Sequence, residues 1–332
     1  MYFICMAYKA PEWSATIAYQ IIIAELFSKA SLFPGFCSLP PSSPGSFRKI
    51  DKCPEYVYCA AMDIELRHFR KVGSTMDTAR EYIDRDGGSK LIILADEQTA
   101  GRGRIEGRSW IGNPGSSLLM TLALKQKTGS PEAFPLRVGL GVLDVLSRLA
   151  AGAIAEEGSS VLSLPRDSEP HFLIKWPNDI MGLDRDSRDC CRKLCGILCE
   201  SSKGWLLAGI GINLRRTAYP DSLNESATSL EEVLGGICPP EGSALPEAED
   251  MAHEIAKAVI SRVEDAGWKD DYRKSMLMLE NDVCFMVGHP VLGKREQGTI
   301  SGIDDSGRLL LRNESGEVKA FLSGEISYIR DL

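Results

Sequence analysis

Residues 90–110 read KLIILADEQTAGRGRIEGRSW. The run 90–97 is apolar almost throughout and is bounded by turn formers, which reads as a buried strand. The loop that leaves it, 100–109, sits where α/β proteins place their ligand sites, at a strand end. Its glycines let the backbone come close to a ligand. Arg102, Arg104 and Arg108 form a trap for phosphate or carboxylate, and Trp110 offers a ring to stack on a flat group. The plain alternative is a solvated basic loop. The alternation of Gly, Arg and Trp at the end of a buried strand favours ligand binding.

Outward from this stretch the pattern alternates between strands and helices. Residues 66–72 read as a strand. Ser74-Thr75-Met76-Asp77 carries the [ST]-x-x-[DE] capping-box pattern and opens a helix to about 85. Downstream come a strand at 116–125, a long apolar helix from 131 to about 157, and a short strand at 172–176. Strands at 193–201 and 205–214 turn on Lys203-Gly204 as a hairpin. Helices are expected at 246–266 and 268–279. From Asp282 the character changes to short strands separated by turn residues, a small β-barrel of about fifty residues. Within it, GHPVLGK at 288–294 matches most of a phosphate-binding loop. Arg295 stands where Ser or Thr is needed, and a β-pattern follows where a helix must start, so it reads as a barrel turn.

Two further motifs carry chemistry. Lys175-Trp176-Pro177-Asn178-Asp179 follows a strand. A lysine at a strand end, a rigid Pro turn and two polar side chains suit charge stabilisation near a phosphoryl centre. A surface lysine before an ordinary P-N-D turn is the plain alternative. Gly209-Ile210-Gly211-Ile212-Asn213 is weaker alone, since glycines in a strand also mark bulges. Asn213 has a donor and an acceptor for a ring edge.

The chain has 332 residues, with Lys+Arg 38 against Asp+Glu 46 and a net charge of -8. Two domains are the prior for this length. An acidic chain is a poor match to a phosphate backbone, so sequence-independent nucleic-acid binding is disfavoured. No apolar run is long enough to span a bilayer. Of the 10 cysteines, four crowd at Cys190, Cys191, Cys195 and Cys199. They lack C-x2-C spacing and read as strand filler, so no resident metal site is expected. Free thiols fit a reducing cytoplasm. Residues 1–61 hold a Pro/Ser cluster and no sustained periodicity. Apart from a short helix at 14–29 they are expected to be poorly ordered, and Met62 is a candidate initiator.

Taken together, G-R-G-R, K-W-P-N-D and G-I-G-I-N, in that order and followed by a small β module, resemble biotin protein ligase of the non-repressor type. The resemblance runs from about residue 62 to the end. It implies an α+β fold, an α/β sandwich with a mixed-sheet catalytic domain of the biotin/lipoate ligase type and a C-terminal SH3-like β-barrel. The implied division is an N-terminal extension (1–61), a catalytic domain (62–282) and the SH3-like domain (283–332). The implied activity is ATP- and Mg2+-dependent formation of biotinyl-5'-AMP, then biotin transfer to a lysine of a biotin carboxyl carrier protein. By motif, Ser74, Thr75, Gln98, Arg102, Gly103, Arg104, Lys175 and Gly196 would contact biotin. Arg102, Arg104, Arg108, Trp110, Asn178 and Asn213 would contact ATP or the adenylate, with Lys175 and Arg104 catalytic. Departures are Met76, where the family often has Asn, one extra residue at Ile105-Glu106, and insertions at 158–170 and 184–192. No helix-turn-helix is evident in 1–61, so operator binding is not expected; a homodimer is compatible with the resemblance. The rivals are a lipoate or octanoate ligase, a biotin-sensing regulator, and a non-catalytic adaptor built on the C-terminal module.

Overall fold

The computed structural model describes residues 55–59, 64–83, 88–105, 107–110, 113–126, 131–155, 171–183, 191–235, 245–288 and 293–328. The expected helix at 14–29, Met62 and the insertion at 158–170 lie outside them.

Nine-residue runs such as KLIILADEQ and SLLMTLALK form the middle of a sheet because both faces of each strand find cover. These are β3 (Lys90–Gln98) and β4 (Ser117–Lys125), buried along most of their length. With β1 (Glu55–Cys59), β2 (Glu65–Val72), β5 (Phe172–Lys175), β6 (Asp179–Leu183), β7 (Cys191–Ser202) and β8 (Trp205–Asn213) they make an eight-stranded sheet, order β1-β2-β3-β4-β8-β7-β6-β5. Only β2 and β3 pair in parallel, so the sheet is mixed, as expected. β1 lies inside the stretch read as irregular extension, and joins the sheet edge through β2.

One face of the sheet packs on α2 (Phe134–Ala155) and α4 (Ala248–Glu264) through Leu94, Met120, Ile210, Leu140 and Ile255. The other face is covered only in part, by α1 (Thr75–Tyr82), whose Met76, Ala79 and Ile83 sit on Leu91, Ile93, Ala123 and Leu207. The uncovered remainder is a cleft. Short helices α3 (Leu230–Gly235) and α5 (Trp268–Lys274) complete the helical set. No helix among the described residues is long and apolar enough to cross a membrane.

The capping box expected at Ser74 does not form. Ser74 has the extended backbone of an N-cap but makes no side-chain cap bond, and the Asp77 carboxylate turns to Arg102 and Arg80 instead. A true capping box appears at α3, which the sequence reading missed. There Ser229 N–H donates to Glu232 at 2.9 Å and Glu232 N–H donates to Ser229 Oγ at 3.2 Å. Strand β6 was also missed, because P-N-D read as the end of regular structure.

The C-terminal module is β9 (Asp282–Val287), β10 (Lys294–Ile303), β11 (Leu309–Arg312), β12 (Val318–Phe321) and β13 (Gly324–Tyr328). These strands form an antiparallel sheet, order β12-β11-β10-β9-β13. The expected barrel is therefore corrected to an open sheet. β12 is four residues long, pairs with β11 and not with β13, and Val318, Lys319 and Ala320 are exposed, so the ladder that closure requires is missing. The sheet's inner face packs instead on the catalytic part: Phe285, Ile300, Leu309 and Ile326 share one apolar core with α2 and the large sheet. Trp176 of K-W-P-N-D is the central contact. It is 3% exposed, its indole N–H donates to the Gly307 carbonyl at 3.0 Å, and its ring lies 6.1 Å from that of Phe285. The rejected phosphate loop runs into strand β10, not a helix.

His68 on β2 joins the sheet to α4. Its Nε2 lies 2.7 Å from Asp96 on β3 and its Nδ1 2.7 Å from Glu249 on α4. Burial opposes the charged ring, but the two carboxylates outweigh it and raise the pKa from 6.5 to about 9. The folded pKa lies above the unfolded one. The stabilisation is therefore complete below about pH 6.5 and is lost as pH rises through 9, an effect on the order of 1–3 kcal/mol. Chemical denaturation from pH 6 to 9.5 should show this decline, and His68→Gln should flatten it. An unchanged pH profile in that variant would refute the assignment.

Candidate functional site

The cleft on the half-covered face is lined by Ser74, Thr75, Met76, Gln98, the loop residues Arg102, Gly103, Arg104 and Trp110, and sheet residues that include Asn178, Lys193, Gly196, Gly209 and Gly211. Its empty space is about 540 Å³, part of it continuous with solvent. Most of the sequence-predicted residues thus converge. Three do not reach the lining: Lys175, Arg108 and Asn213.

At one part of the wall the polar groups are already committed. Gln98 Oε1 accepts from the Thr75 N–H at 2.8 Å and from Thr75 Oγ1 at 3.1 Å, and Thr121 Oγ1 donates to Thr75 Oγ1 at 2.9 Å. Two donors therefore fix the orientation of the Gln98 amide and leave its N–H groups for a ligand. Ser74, 3% exposed, sits beside them. Met76 packs against Gly209, where a Cβ would come 2.9 Å from its sulfur.

The floor is Trp110. Its ring lies so close to the sheet that a Cβ on Gly196 would be 2.7 Å, and one on Gly211 2.5 Å, from ring atoms. Glycine at both positions is what admits the indole. The indole N–H is buried and has no hydrogen-bond partner, a donor held ready for an incoming acceptor.

The cations come from two directions. The loop 101–110 folds back on itself, Gly103 N–H to Arg108 O at 2.8 Å and Trp110 N–H to Gly101 O at 3.0 Å. It is fastened on both sides. Arg102 forks onto Asp77. Arg104 donates to the Gly324 carbonyl at 2.8 Å, and Arg108 to Glu325 at 3.1 Å, both on β13. The third cation in the lining, Lys193, was not singled out from sequence. Its ammonium lies 2.7 Å from Asp179 and 5.7 Å from the Trp110 ring centre. A β-bulge puts it there. Ile180 pairs with Cys195 but Met181 pairs with Lys193, so Leu194 is an extra residue on β7. Leu194 and Cys195 both turn into the apolar core, while Lys193 and Gly196 both reach the cleft. Re-aiming a side chain is what a bulge beside a site does. Burial raises the Cys195 thiol well above its usual range, so it is no nucleophile.

Lys175 is the register partner of Asp179, on the same face as the cleft but one strand beyond its wall. Asn178 lines the cleft with its amide donating to the Ile197 carbonyl at 3.1 Å. Asn213 is buried and donates to the Thr228 carbonyl at 3.0 Å, so its amide nitrogen is structural here.

The Biotin/lipoate A/B protein ligase family matches residues 69–216, and the Biotin protein ligase C terminal domain matches residues 290–328. A biotin--[acetyl-CoA-carboxylase] ligase of Paracoccus denitrificans is 30% identical over 243 residues, 68% of this chain and 85% of that protein. One of Mycobacterium tuberculosis is 28% identical over 257 residues, 74% of this chain and 81% of that protein. Among solved structures, the biotin protein ligase of Aquifex aeolicus in complex with biotin and ATP superposes with a TM-score of 0.60 at 26% identity, covering 79% of this chain and 97% of the other. A mixed sheet with one half-open face, an arginine loop closing on it and an appended antiparallel module therefore recur in this chain together with the matching sequence, and the chain belongs to the biotin protein ligase family.

Proposed function

We propose that this chain is an ATP-dependent biotin protein ligase. The observation that carries the reading is the composition of one cleft wall: fixed ring-edge donors at Thr75 and Gln98, an indole floor at Trp110, and the cations Arg102, Arg104 and Lys193. That set suits an acid with a polar ring, an aliphatic chain and a carboxylate that must meet a phosphate.

In the first step a carboxylate oxygen of biotin attacks the α-phosphorus of ATP. The bond to the bridging oxygen breaks and pyrophosphate leaves. In the second, the neutral amine of a carrier lysine attacks the acyl carbon, AMP leaves and the nitrogen loses a proton. Neither step needs an enzyme nucleophile. What the protein must supply is positive charge, at Lys193, Arg102 and Arg104, and shelter from water under the loop. Among the described residues no cluster of three or more His, Cys, Asp or Glu side chains is placed to hold a metal ion. Mg2+ therefore fits as a companion of the nucleotide phosphates, where it would offset their charge.

The acceptor is proposed to be a biotin carboxyl carrier domain of acetyl-CoA carboxylase or a related carboxylase. The free thiols Cys191, Cys195, Cys199 and Cys284 suit a reducing compartment, and the cytoplasm is the proposed setting. Residues 62–282 are proposed as the catalytic part and 283–332 as the C-terminal part. The test is transfer of radiolabelled biotin to such a carrier domain, with and without ATP and with lipoate as competitor. ATP-dependent labelling unaffected by lipoate supports the reading; an unlabelled carrier sinks it.

A further inference from the structure

Arg102 lines the cleft, yet its fork is already taken. Nη1 donates to Asp77 Oδ2 at 3.0 Å and Nη2 to Asp77 Oδ1 at 2.8 Å. This is the two-pronged geometry that the same guanidinium would offer to a ligand's carboxylate or phosphate. Asp77 lies in the first turn of α1 and also takes Arg80, whose other nitrogen reaches Glu200 on β7. The other two loop arginines differ. Arg104 lines the cleft but holds a carbonyl, and Arg108 holds a carboxylate but stands outside the lining. Arg102 alone of the three combines a place in the wall with a carboxylate partner.

We propose that Asp77 is a resident competitor, holding the Arg102 fork until the anionic group of a bound acid replaces it, after which Arg80 retains the displaced carboxylate. The identity of that acid, biotin, rests on the function proposed above. The pair is suited to exchange. Arg102 is 47% and Asp77 46% exposed, and a half-exposed ion pair is weak enough for a ligand to break. Arg80 makes the exchange cheaper, because Asp77 is not left unpaired. The contact then keeps the loop ordered when the cleft is empty and yields when an anion arrives.

The experiment compares the full-length protein with Asp77→Asn and Arg80→Met by calorimetric titration. The probes are biotin and biotinol, the alcohol that lacks the carboxylate. Asp77→Asn should bind biotin about two- to five-fold more tightly, with biotinol unchanged. Arg80→Met should bind biotin more weakly, because Asp77 is left to Arg102. In the absence of ligand, trypsin should cut after Arg102 faster in Asp77→Asn than in wild type. A merely structural Asp77 would weaken both probes in both variants, and that result overturns the proposal. So does unchanged biotin affinity in Asp77→Asn, or unchanged ligand-free cutting. If wild type binds neither probe, the functional reading fails and the competitor role falls with it, whereas a loss confined to the variants indicts Asp77 alone. Thermal melts of each variant establish that it is folded.

Discussion

Lys193→Met is expected to fold normally and to form biotinyl-adenylate ~10²–10³-fold more slowly, the range found when one charge-stabilising donor is removed from an active site. Three observations support so large an effect. The ammonium is in the cleft wall, it is held by Asp179 at 2.7 Å, and it lies over the indole that floors the site. Lys175, to which the sequence motif assigned this role, stands opposite Asp179 on the neighbouring strand and outside the wall. Lys175→Met should therefore lose less activity than Lys193→Met. Single-turnover adenylate formation, read as pyrophosphate release, decides between them. A crippled Lys175 variant beside a near-normal Lys193 variant would restore the assignment made from the motif.

Trp176→Ala is expected to cost ~3–5 kcal/mol of stability, the usual penalty for emptying a buried aromatic site. The indole is 3% exposed, packs near Phe285 and donates to Gly307 O. Its loss leaves a cavity between the two sheets and an unpaired carbonyl on the C-terminal one. Trp176→Phe should retain much of the packing but still lose about 1–3 kcal/mol through the orphaned carbonyl. Urea denaturation of the three proteins measures both steps. Equal stability of wild type and the alanine variant would remove Trp176 as the link between the sheets.

Much of this was legible in the chain. The long apolar runs at β3 and β4, the hairpin at Lys203-Gly204 and the apolar helix α2 announce themselves by period and length. Ser74, Thr75, Gln98, Arg102, Gly103, Arg104, Trp110, Asn178 and Gly196 all reach the cleft. What was not legible has specific causes. Strict alternation places Lys193, three residues before Gly196, on the opposite face of β7, and no local signal in RKLCGIL announces a bulge. The S-T-M-D pattern has capping chemistry, but a cross-element pair with Arg102 prevails over the local bond. Asn213 looks like a ring-edge reader until the carbonyl of Thr228, distant in sequence, takes its amide nitrogen. Barrel closure depends on whether β12 and β13 meet, which neither strand's own sequence dictates.

The indole under the cleft has a practical consequence. Of the five tryptophans, Trp176, Trp205 and Trp268 are 3–5% exposed and sealed in apolar surroundings, and Trp13 lies outside the described residues. Trp110 alone of the four described forms part of the site wall, beneath a lysine whose charge quenches or shifts its emission as that charge is moved. The molecule carries its own optical reporter. Titrating substrate while following intrinsic fluorescence, with Trp110→Phe as the silent control, gives occupancy of the site without a label.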